Sequence, residues 1–163
     1  MHVLAALALD KTGALDLAQW VPAGPLISLV IIFLALIATN FQPKLRESVE
    51  FGAFCGWISV AGIATAGFLA TLLWLGFFHG DFREIFEKGE TIQRVYPWLT
   101  HHLGMWKVDL GIVLDPLSIT TLFMVGWVAS MIQIFSIGYM KGEAHFPRYF
   151  AYHSLFVAGM LIL

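Results

Sequence analysis

The sequence predicts an all-α polytopic membrane protein with three complete transmembrane helices, the start of a fourth, and a short extramembrane insert between the second and third. Of its 163 residues, 59% are hydrophobic and 12% are charged, and the mean hydropathy is +0.80. Soluble domains are about 45–50% apolar and about 25% charged. In addition, all 20 Asp, Glu, Lys and Arg residues fall outside four apolar windows, at residues 17–43, 51–80, 116–140 and 149–163.

The lengths of these windows suit a bilayer. The first three hold 27, 30 and 25 residues, and a helix needs roughly 20 apolar residues to cross about 30 Å of hydrocarbon. A charge near the bilayer centre costs at least ~2.5 kcal/mol, so charges are excluded from such windows. We expect a single membrane domain fragment over residues 1–163, with spans at about 22–41, 52–78, 116–138 and 149–163.

The first window opens with Trp20, Pro22 and Pro25. Tryptophan suits the membrane interface, and proline is tolerated in the first turn of a helix. The preceding segment, residues 1–13, has no basic residue before its short apolar stretch, so it fits a secretory signal poorly. We predict a surface segment that leads into the first span.

The second window is rich in small residues. Gly52 and Gly56 form a GxxxG pair, which lets a second helix approach closely but also occurs often by chance in apolar sequence. The single cysteine, Cys55, lies in the same window. A single cysteine excludes a disulfide framework and a thiolate metal site, and we interpret it as a small residue facing lipid or another helix.

The spacing of apolar residues changes within the insert at residues 81–115. Its first part predicts a short amphipathic helix at the membrane surface, because Glu84 precedes Lys88 by four and apolar residues recur at helical spacing. Its second part alternates with period two from Trp106 to Leu114, which predicts a strand with one covered face, held outside the bilayer and paired in a hairpin. The helical-spacing positions are Phe82, Ile85, Phe86 and Ile92, and Tyr96, Trp98 and Trp106 add aromatic interface character.

The third span begins at a recognisable helix start. Asp115 can cap the free N–H groups and complement the helix dipole, and Pro116 fits the first position. The fourth window holds 15 residues, up to and including Leu163, and these reach only about 22 Å as a helix. We therefore expect the fourth helix to be completed by a continuation of this chain or by a separate chain.

Lysine and arginine density sets the predicted orientation. The links at residues 44–50 and 141–148 hold two basic residues each in seven and eight positions, whereas the insert holds four in 35. Because short basic loops favour the cytoplasmic side, we expect both short links there and the N-terminus on the outer side. A net charge of -2 and the lack of a basic tail indicate no nucleic-acid partner.

The last third of the chain carries motifs of a known family. An alternating strand leads into an Asp-x-Leu-Ser helix start, a Phe-Ser-Ile-Gly-Tyr-Met stretch closes that helix, and Arg-Tyr-Phe-Ala-Tyr opens the next. On these motifs the chain resembles the N-terminal part of the antiporter-like L subunit of respiratory complex I, in a superfamily shared with multisubunit cation/proton antiporters and membrane hydrogenases. The matching structural positions include Asp115, Leu117, Ser118, Ser136, Gly138, Tyr139 and Arg148.

The resemblance implies a subunit of a redox-driven proton pump. In the family, quinone reduction takes place in other subunits, and protons move along a glutamate on the fifth helix and lysines on later, broken helices. Those residues would lie beyond Leu163, so we assign this chain no catalytic residue, redox centre, metal or cofactor. The implied function is the N-terminal scaffold of an NADH-quinone oxidoreductase subunit, with other membrane subunits and the lipid bilayer as partners, in the bacterial inner membrane.

Each candidate residue also has a purely structural interpretation. Asp115 could admit protons, but a helix cap at the membrane surface explains it more simply. Arg148 is interpreted as an interfacial anchor that could pair with Glu143, while Ser136, Gly138 and Tyr139 shape a helix end. His101 and His102 are expected to be solvated.

Three alternatives stay open at this point. The first is a subunit of a multisubunit Na⁺/H⁺ antiporter or of a membrane-bound hydrogenase. The second is a small structural or assembly subunit, which the short fourth window disfavours. The third is a haem anchor, which needs two histidines at equal depth on facing helices. His79 and His153 are predicted near opposite membrane faces, which argues against a shared haem.

Overall fold

The computed structural model describes residues 11–39, 49–78, 92–100, 107–141, 143 and 145–163. Helix α1 spans Lys11–Trp20, α2 spans Ala23–Ala38 and α3 spans Val49–Phe78. The strands β1 (Ile92–Thr100) and β2 (Lys107–Leu114) follow. Helices α4 (Pro116–Tyr139) and α5 (Phe146–Ile162) complete the described chain. Of the amphipathic helix predicted in the insert, Phe82, Ile85 and Phe86 lie outside the described residues.

Three helical segments are long and apolar enough to cross a membrane. They run over Gly13–Ala38, Glu50–Phe77 and Pro116–Tyr139. Within the first segment a two-residue turn at Val21 and Pro22 separates α1 from α2, and the Val21 N–H donates to the Ala18 carbonyl at 3.1 Å. The chain is thus an integral membrane protein of mainly helical architecture, as its hydropathy predicts.

Strands β1 and β2 form an antiparallel hairpin that joins the second span to the third. Ile92 pairs with Leu114 at the open end, and the register shifts between Pro97 and Leu99, where proline lacks the N–H that a regular ladder needs. The hairpin confirms the predicted strand. It also corrects the assignment of Ile92 to a surface helix, because pairing with Leu114 places both side chains in the core, 4% and 2% exposed.

The hairpin packs on α1. Arg94 of β1 forms an ion pair with Asp16 of α1 at 2.5 Å, and the apolar faces of both elements join a core cluster near this end of the molecule. A second, smaller cluster lies near the opposite end. The first cluster is centred on Leu15, Val21, Ile63, Leu73, Ile92, Leu114 and Ile119, and the second on Ile32, Cys55, Phe146, Phe150 and Ala151.

Helix α3 is the central helix, and two glycines bring its backbone against its neighbours. A Cβ on Gly62 would lie 2.6 Å from the Gly24 carbonyl oxygen of α2, and a Cβ on Gly126 of α4 would lie 2.7 Å from the Gly67 Cα of α3. Only glycine permits these two approaches, since any side chain there would meet backbone.

The predicted GxxxG pair packs differently from the expectation. A Cβ on Gly52 would lie 3.0 Å from the Phe146 ring, and one on Gly56 would lie 3.3 Å from Ile137. Both glycines therefore make room for side chains of α4 and α5, and the close backbone approaches occur at Gly62 and Gly67 instead. Cys55, which lies between Gly52 and Gly56 in the sequence, is fully buried in the second cluster.

Candidate functional site

A cluster of polar side chains is buried where α3, α4 and α5 meet. The Ser59 hydroxyl of α3 lies 2.6 Å from the Ser154 hydroxyl of α5, and the Gln133 side chain of α4 donates to Ser59 at 2.5 Å. Ser59 also donates to the Phe150 carbonyl of α5 at 3.4 Å. All three side chains are 0% exposed, so this cluster joins three helices through hydrogen bonds with no water-accessible surface.

The cluster lies between the two apolar cores, where isolated polar groups would be costly. An unsatisfied polar group in hydrocarbon costs several kcal/mol. Hydrogen bonding among these side chains avoids that cost. Interhelical hydrogen bonds of this kind contribute about 0.6 kcal/mol on average in membrane proteins. We call the residues Ser59, Gln133 and Ser154 the polar junction.

A second polar pair lies closer to the C-terminal end of α4. The Ser136 hydroxyl lies 3.0 Å from the Tyr149 hydroxyl of α5, and Ser136 also donates to the Ile132 carbonyl of its own helix at 2.8 Å. The Tyr149 ring stacks on His153 one turn further along α5, with centroids 5.9 Å apart. A stripe of polar and aromatic groups therefore leads from the start of α5 toward the polar junction.

Two atoms of this region have no protein partner among the described residues. They are the side-chain oxygen Oε1 of Gln133 and the ring nitrogen Nε2 of His153, and both atoms are buried. Chemically, the region can hold and pass hydrogen bonds, because hydroxyls, an amide and a neutral imidazole both donate and accept. The hydrogen bonds of the polar junction involve no Asp, Glu, Lys or Arg among the described residues.

Asp115 occupies the N-cap position of α4. Its side chain accepts from the Ser118 N–H at 2.6 Å, and Pro116 fills the first turn. Hydrogen bonds from the Ser118 hydroxyl and backbone N–H lower the pKa of Asp115 below its usual value, because they stabilise the carboxylate form. This geometry supports the cap interpretation. Leu117, on the same turn, is 73% exposed.

The remaining predicted positions separate into one buried and three exposed residues. Ser136 is 5% exposed and bonded to Tyr149. Tyr139 is 76% exposed and stacks on Phe135 of its own helix, while Gly138 has open space around it. Arg148 is exposed in the first turn of α5, and the described part of the chain contains no ion pair between it and Glu143.

Sequence reasoning missed the polar junction. Ser59 and Ser154 are single hydroxyls in apolar windows, and nothing local links two residues 95 positions apart. Gln133 did carry a signal, because an amide in a membrane-spanning helix is costly unless it finds a partner. His153 was considered only as a haem ligand.

Comparison with known sequences supports the resemblance. Residues 98–150 match the model of the NADH-ubiquinone oxidoreductase (complex I) chain 5 N-terminus. Over these residues the chain is similar to the N-terminal part of the antiporter-like L subunits of complex I. The match runs from the end of β1 into α5. It therefore contains Asp115, Gln133 and Arg148, whereas Ser59 and Ser154 lie outside it.

Curated relatives extend the similarity beyond that interval. The chain is 33% identical over 105 residues to NADH-quinone oxidoreductase subunit L of Escherichia coli (strain K12), covering 64% of this chain and 16% of that protein. It is 32% identical over 139 residues to the subunit L of Neisseria meningitidis serogroup A, covering 85% and 19%. It is 34% identical over 131 residues to the chloroplastic NAD(P)H-quinone oxidoreductase subunit 5 of Chaetosphaeridium globosum, covering 80% and 18%. The chain thus spans less than a fifth of the length of these L-family relatives.

Proposed function

We propose that the chain is the N-terminal scaffold of a proton-translocating membrane subunit of an NADH-quinone oxidoreductase, in which quinone reduction elsewhere in the complex drives proton pumping. The observation that carries this proposal is the match of residues 98–150 to the N-terminus of complex I chain 5. Relatives from bacteria and chloroplasts share the description. They favour this function over an antiporter, a hydrogenase or a haem anchor.

The scaffold role follows from where the charges lie. Helices α2 and α4 contain no Asp, Glu, Lys or Arg, and Glu50 and Arg148 occur only in the first turns of α3 and α5. Ionisable groups deep in the membrane mark ion paths, and these helices have no acidic or strongly basic group at depth. They would support proton-carrying helices of the same subunit or of a separate chain that packs beside them.

The complex itself provides the test of this proposal. Inverted membrane vesicles from the source organism should acidify on addition of NADH, and disruption of the coding segment for this chain should abolish acidification until it is supplied again. A tagged chain should co-purify with NADH-quinone oxidoreductase activity. Unchanged NADH-driven acidification, together with loss of Na⁺- or hydrogen-dependent proton movement, would establish the antiporter or hydrogenase alternative instead.

The scaffold assignment also has a direct test on the chain alone. Reconstituted in vesicles, residues 1–163 should not dissipate a pH gradient, because the spans carry no Asp, Glu, Lys or Arg at depth. An empty-vesicle preparation is the control. Reproducible dissipation above that control would contradict the scaffold role without affecting the family resemblance.

We further propose insertion in the bacterial inner membrane with the N-terminus on the outer side. The short basic links support this orientation, and they also place the hairpin side outward. In a Cys55→Ala background, Ser48→Cys and Thr100→Cys should react with an impermeant thiol reagent from opposite sides of the membrane. Labelling of both from one side would refute this topology.

A further inference from the structure

The two buried atoms without a protein partner lie on facing helices. Gln133 is 0% exposed, and its Oε1 atom has no hydrogen-bond partner among the described residues; the same holds for the buried Nε2 atom of His153. A buried polar group left unpaired costs about 1–3 kcal/mol, and more in a lipid environment. Native structures rarely leave buried polar groups without a hydrogen-bond partner, so each of these two atoms requires an explanation.

One end of the Gln133 amide lacks a partner whichever way its oxygen and nitrogen are assigned. The Gln133 side chain approaches Ser59 to 2.5 Å, a distance typical of an O–H···O bond as well as of a short N–H···O bond. If the amide is rotated by 180°, its oxygen accepts from Ser59 and its nitrogen becomes the end without a partner. In both assignments, one end of a fully buried amide needs a further hydrogen bond.

The helix geometry places this amide and the imidazole at similar depth. Helices α4 and α5 are consecutive and run in opposite directions, and the Ser136–Tyr149 contact at 3.0 Å fixes their alignment. Gln133 lies one turn before Ser136 on α4, and His153 lies one turn after Tyr149 on α5. Gln133 lies about 9 Å from the end of α4 at Tyr139, and His153 lies about 10 Å from the start of α5 at Phe146.

Contacts with neighbouring side chains connect Gln133 and His153 in two ways. Gln133 bonds to Ser59, which lies 2.6 Å from Ser154, the residue next to His153. His153 stacks on Tyr149, which bonds to Ser136 on the face of α4 that carries Gln133. Gln133 and His153 are therefore connected along two routes, each made of these contacts and of one step between residues close in sequence on the same helix.

We propose that a buried water molecule is bound between α4 and α5, where it hydrogen-bonds to the unpaired end of the Gln133 amide and to His153 Nε2. Water is the ligand that fits the chemistry. It can donate to two acceptors at once, or accept from an amide N–H while it donates to the imidazole, so it satisfies either amide assignment. A metal cation is not favoured, because no three His, Cys, Asp or Glu residues come together in the described part of the chain.

This water site extends beyond the scaffold role and does not depend on it. The bound water would continue the hydrogen-bonded series from the Ser136–Tyr149 pair to the polar junction, about two helical turns below the ends of α4 and α5. It would thus place a water molecule inside a helix bundle whose spans are mainly apolar. Its existence is a property of this chain, whatever the complete subunit transports.

Water-edited solid-state NMR on the full chain in lipid bilayers tests the proposal. With uniform ¹⁵N labelling, the His153 Nε2 signal is identified by its loss in His153→Asn. It should receive magnetisation from water protons early, well before the backbone ¹⁵N signals of Ile63 and Leu73, which are fully buried apolar positions. Build-up as slow as at those two residues would show a dry site and overturn the proposal.

Two variants show whether Gln133 helps to hold the water. Gln133→Leu should remove the early water transfer to His153 Nε2, because one of the two anchoring groups is lost. Ser130→Ala is the matched control, since the Ser130 hydroxyl is buried one turn away on α4 and donates to the Gly126 carbonyl of its own helix at 2.7 Å. Transfer that persists unchanged in Gln133→Leu would also overturn the shared site. The wild-type build-up decides independently if a variant fails to fold.

Discussion

Helix α3 contacts its neighbours in two contrasting ways within three turns. At Gly62 and Gly67 it presents bare backbone, which touches the backbones of α2 and α4 near Gly24 and Gly126. At Ser59 it presents a hydroxyl, which bonds to Gln133 and Ser154. The glycine contacts bring backbone against backbone, whereas the polar junction consists of side-chain hydrogen bonds.

The difference shows how two kinds of interaction stabilise one helix bundle in lipid. Apolar burial gives little driving force there, because lipid tails are as apolar as the helix surfaces. Close packing at glycine depends on shape, so an added methyl group has nowhere to go. A hydrogen bond between helices depends on two polar partners. The free-energy cost of losing it is reduced because the remaining partner can bond to another polar group. We therefore expect the glycine contacts to be the more sensitive to substitution.

The largest effect is expected from Gly62→Ala. The new Cβ would lie 2.6 Å from both the Gly24 carbonyl oxygen and the Ser28 hydroxyl oxygen, so α2 and α3 must separate, at a cost of about 1–3 kcal/mol. Reversible unfolding in mixed detergent micelles measures this free energy. Gly159→Ala is the control, because it adds the same methyl group to a helix where nothing lies within 4 Å. Equal stability of the two variants would contradict the shape argument.

A smaller effect is expected at the polar junction. A double-mutant cycle with Ser59→Ala and Ser154→Ala should give a coupling energy of about 0.6 kcal/mol and no more than about 1.7 kcal/mol. The same unfolding assay applies. Pairing Ser59→Ala with Ser130→Ala provides the reference cycle, since Ser130 bonds within its own helix. A coupling of zero for Ser59 with Ser154 would mean that their 2.6 Å contact contributes nothing to helix association.

The smallest effect is expected at the Asp115 cap. Its hydrogen bond to Ser118 is more accessible to solvent than the buried hydrogen bonds of the polar junction. Asp115→Asn keeps an acceptor for the Ser118 N–H but loses the charge, so it should cost only a few tenths of a kcal/mol at neutral pH. Because the pKa of Asp115 is lowered in the folded chain, the contribution of its charge is complete above the unfolded pKa of about 3.9. It is lost as pH falls through the folded pKa.

The stability difference between wild type and Asp115→Asn should therefore shrink in acid. The unfolding assay at a series of pH values from neutral downward measures it. Other acidic groups titrate equally in both proteins, so the difference isolates Asp115. A difference that stays constant below pH ~3 would show that the carboxylate form of Asp115 is not what stabilises the start of α4.

Much of the fold follows from local patterns in the sequence. The alternation up to Leu114 predicts β2, and the Asp115-Pro116 pair predicts the start of α4 to the residue. The partner strand is harder to foresee, because Ile92 fits a helical spacing until Leu114 pairs with it. Among the candidate positions, Asp115 could be interpreted from its neighbours alone. The burial of Ser136 could not, because it depends on Tyr149 of the next helix.

Local patterns in the sequence were enough to identify the segments that are apolar enough to cross a membrane, the strand before Asp115 and the cap of α4. These features depend on hydropathy, period and capping, which act over a few neighbouring residues. The tertiary structure, and no local pattern, brings Gly62 and Gly67 against other backbones in place of the GxxxG pair. It alone brought Ser59 to Gln133 and Ser154. The reason is geometric: such contacts depend on how each helix is rotated and shifted against its neighbours, and no local stretch of sequence specifies those two quantities.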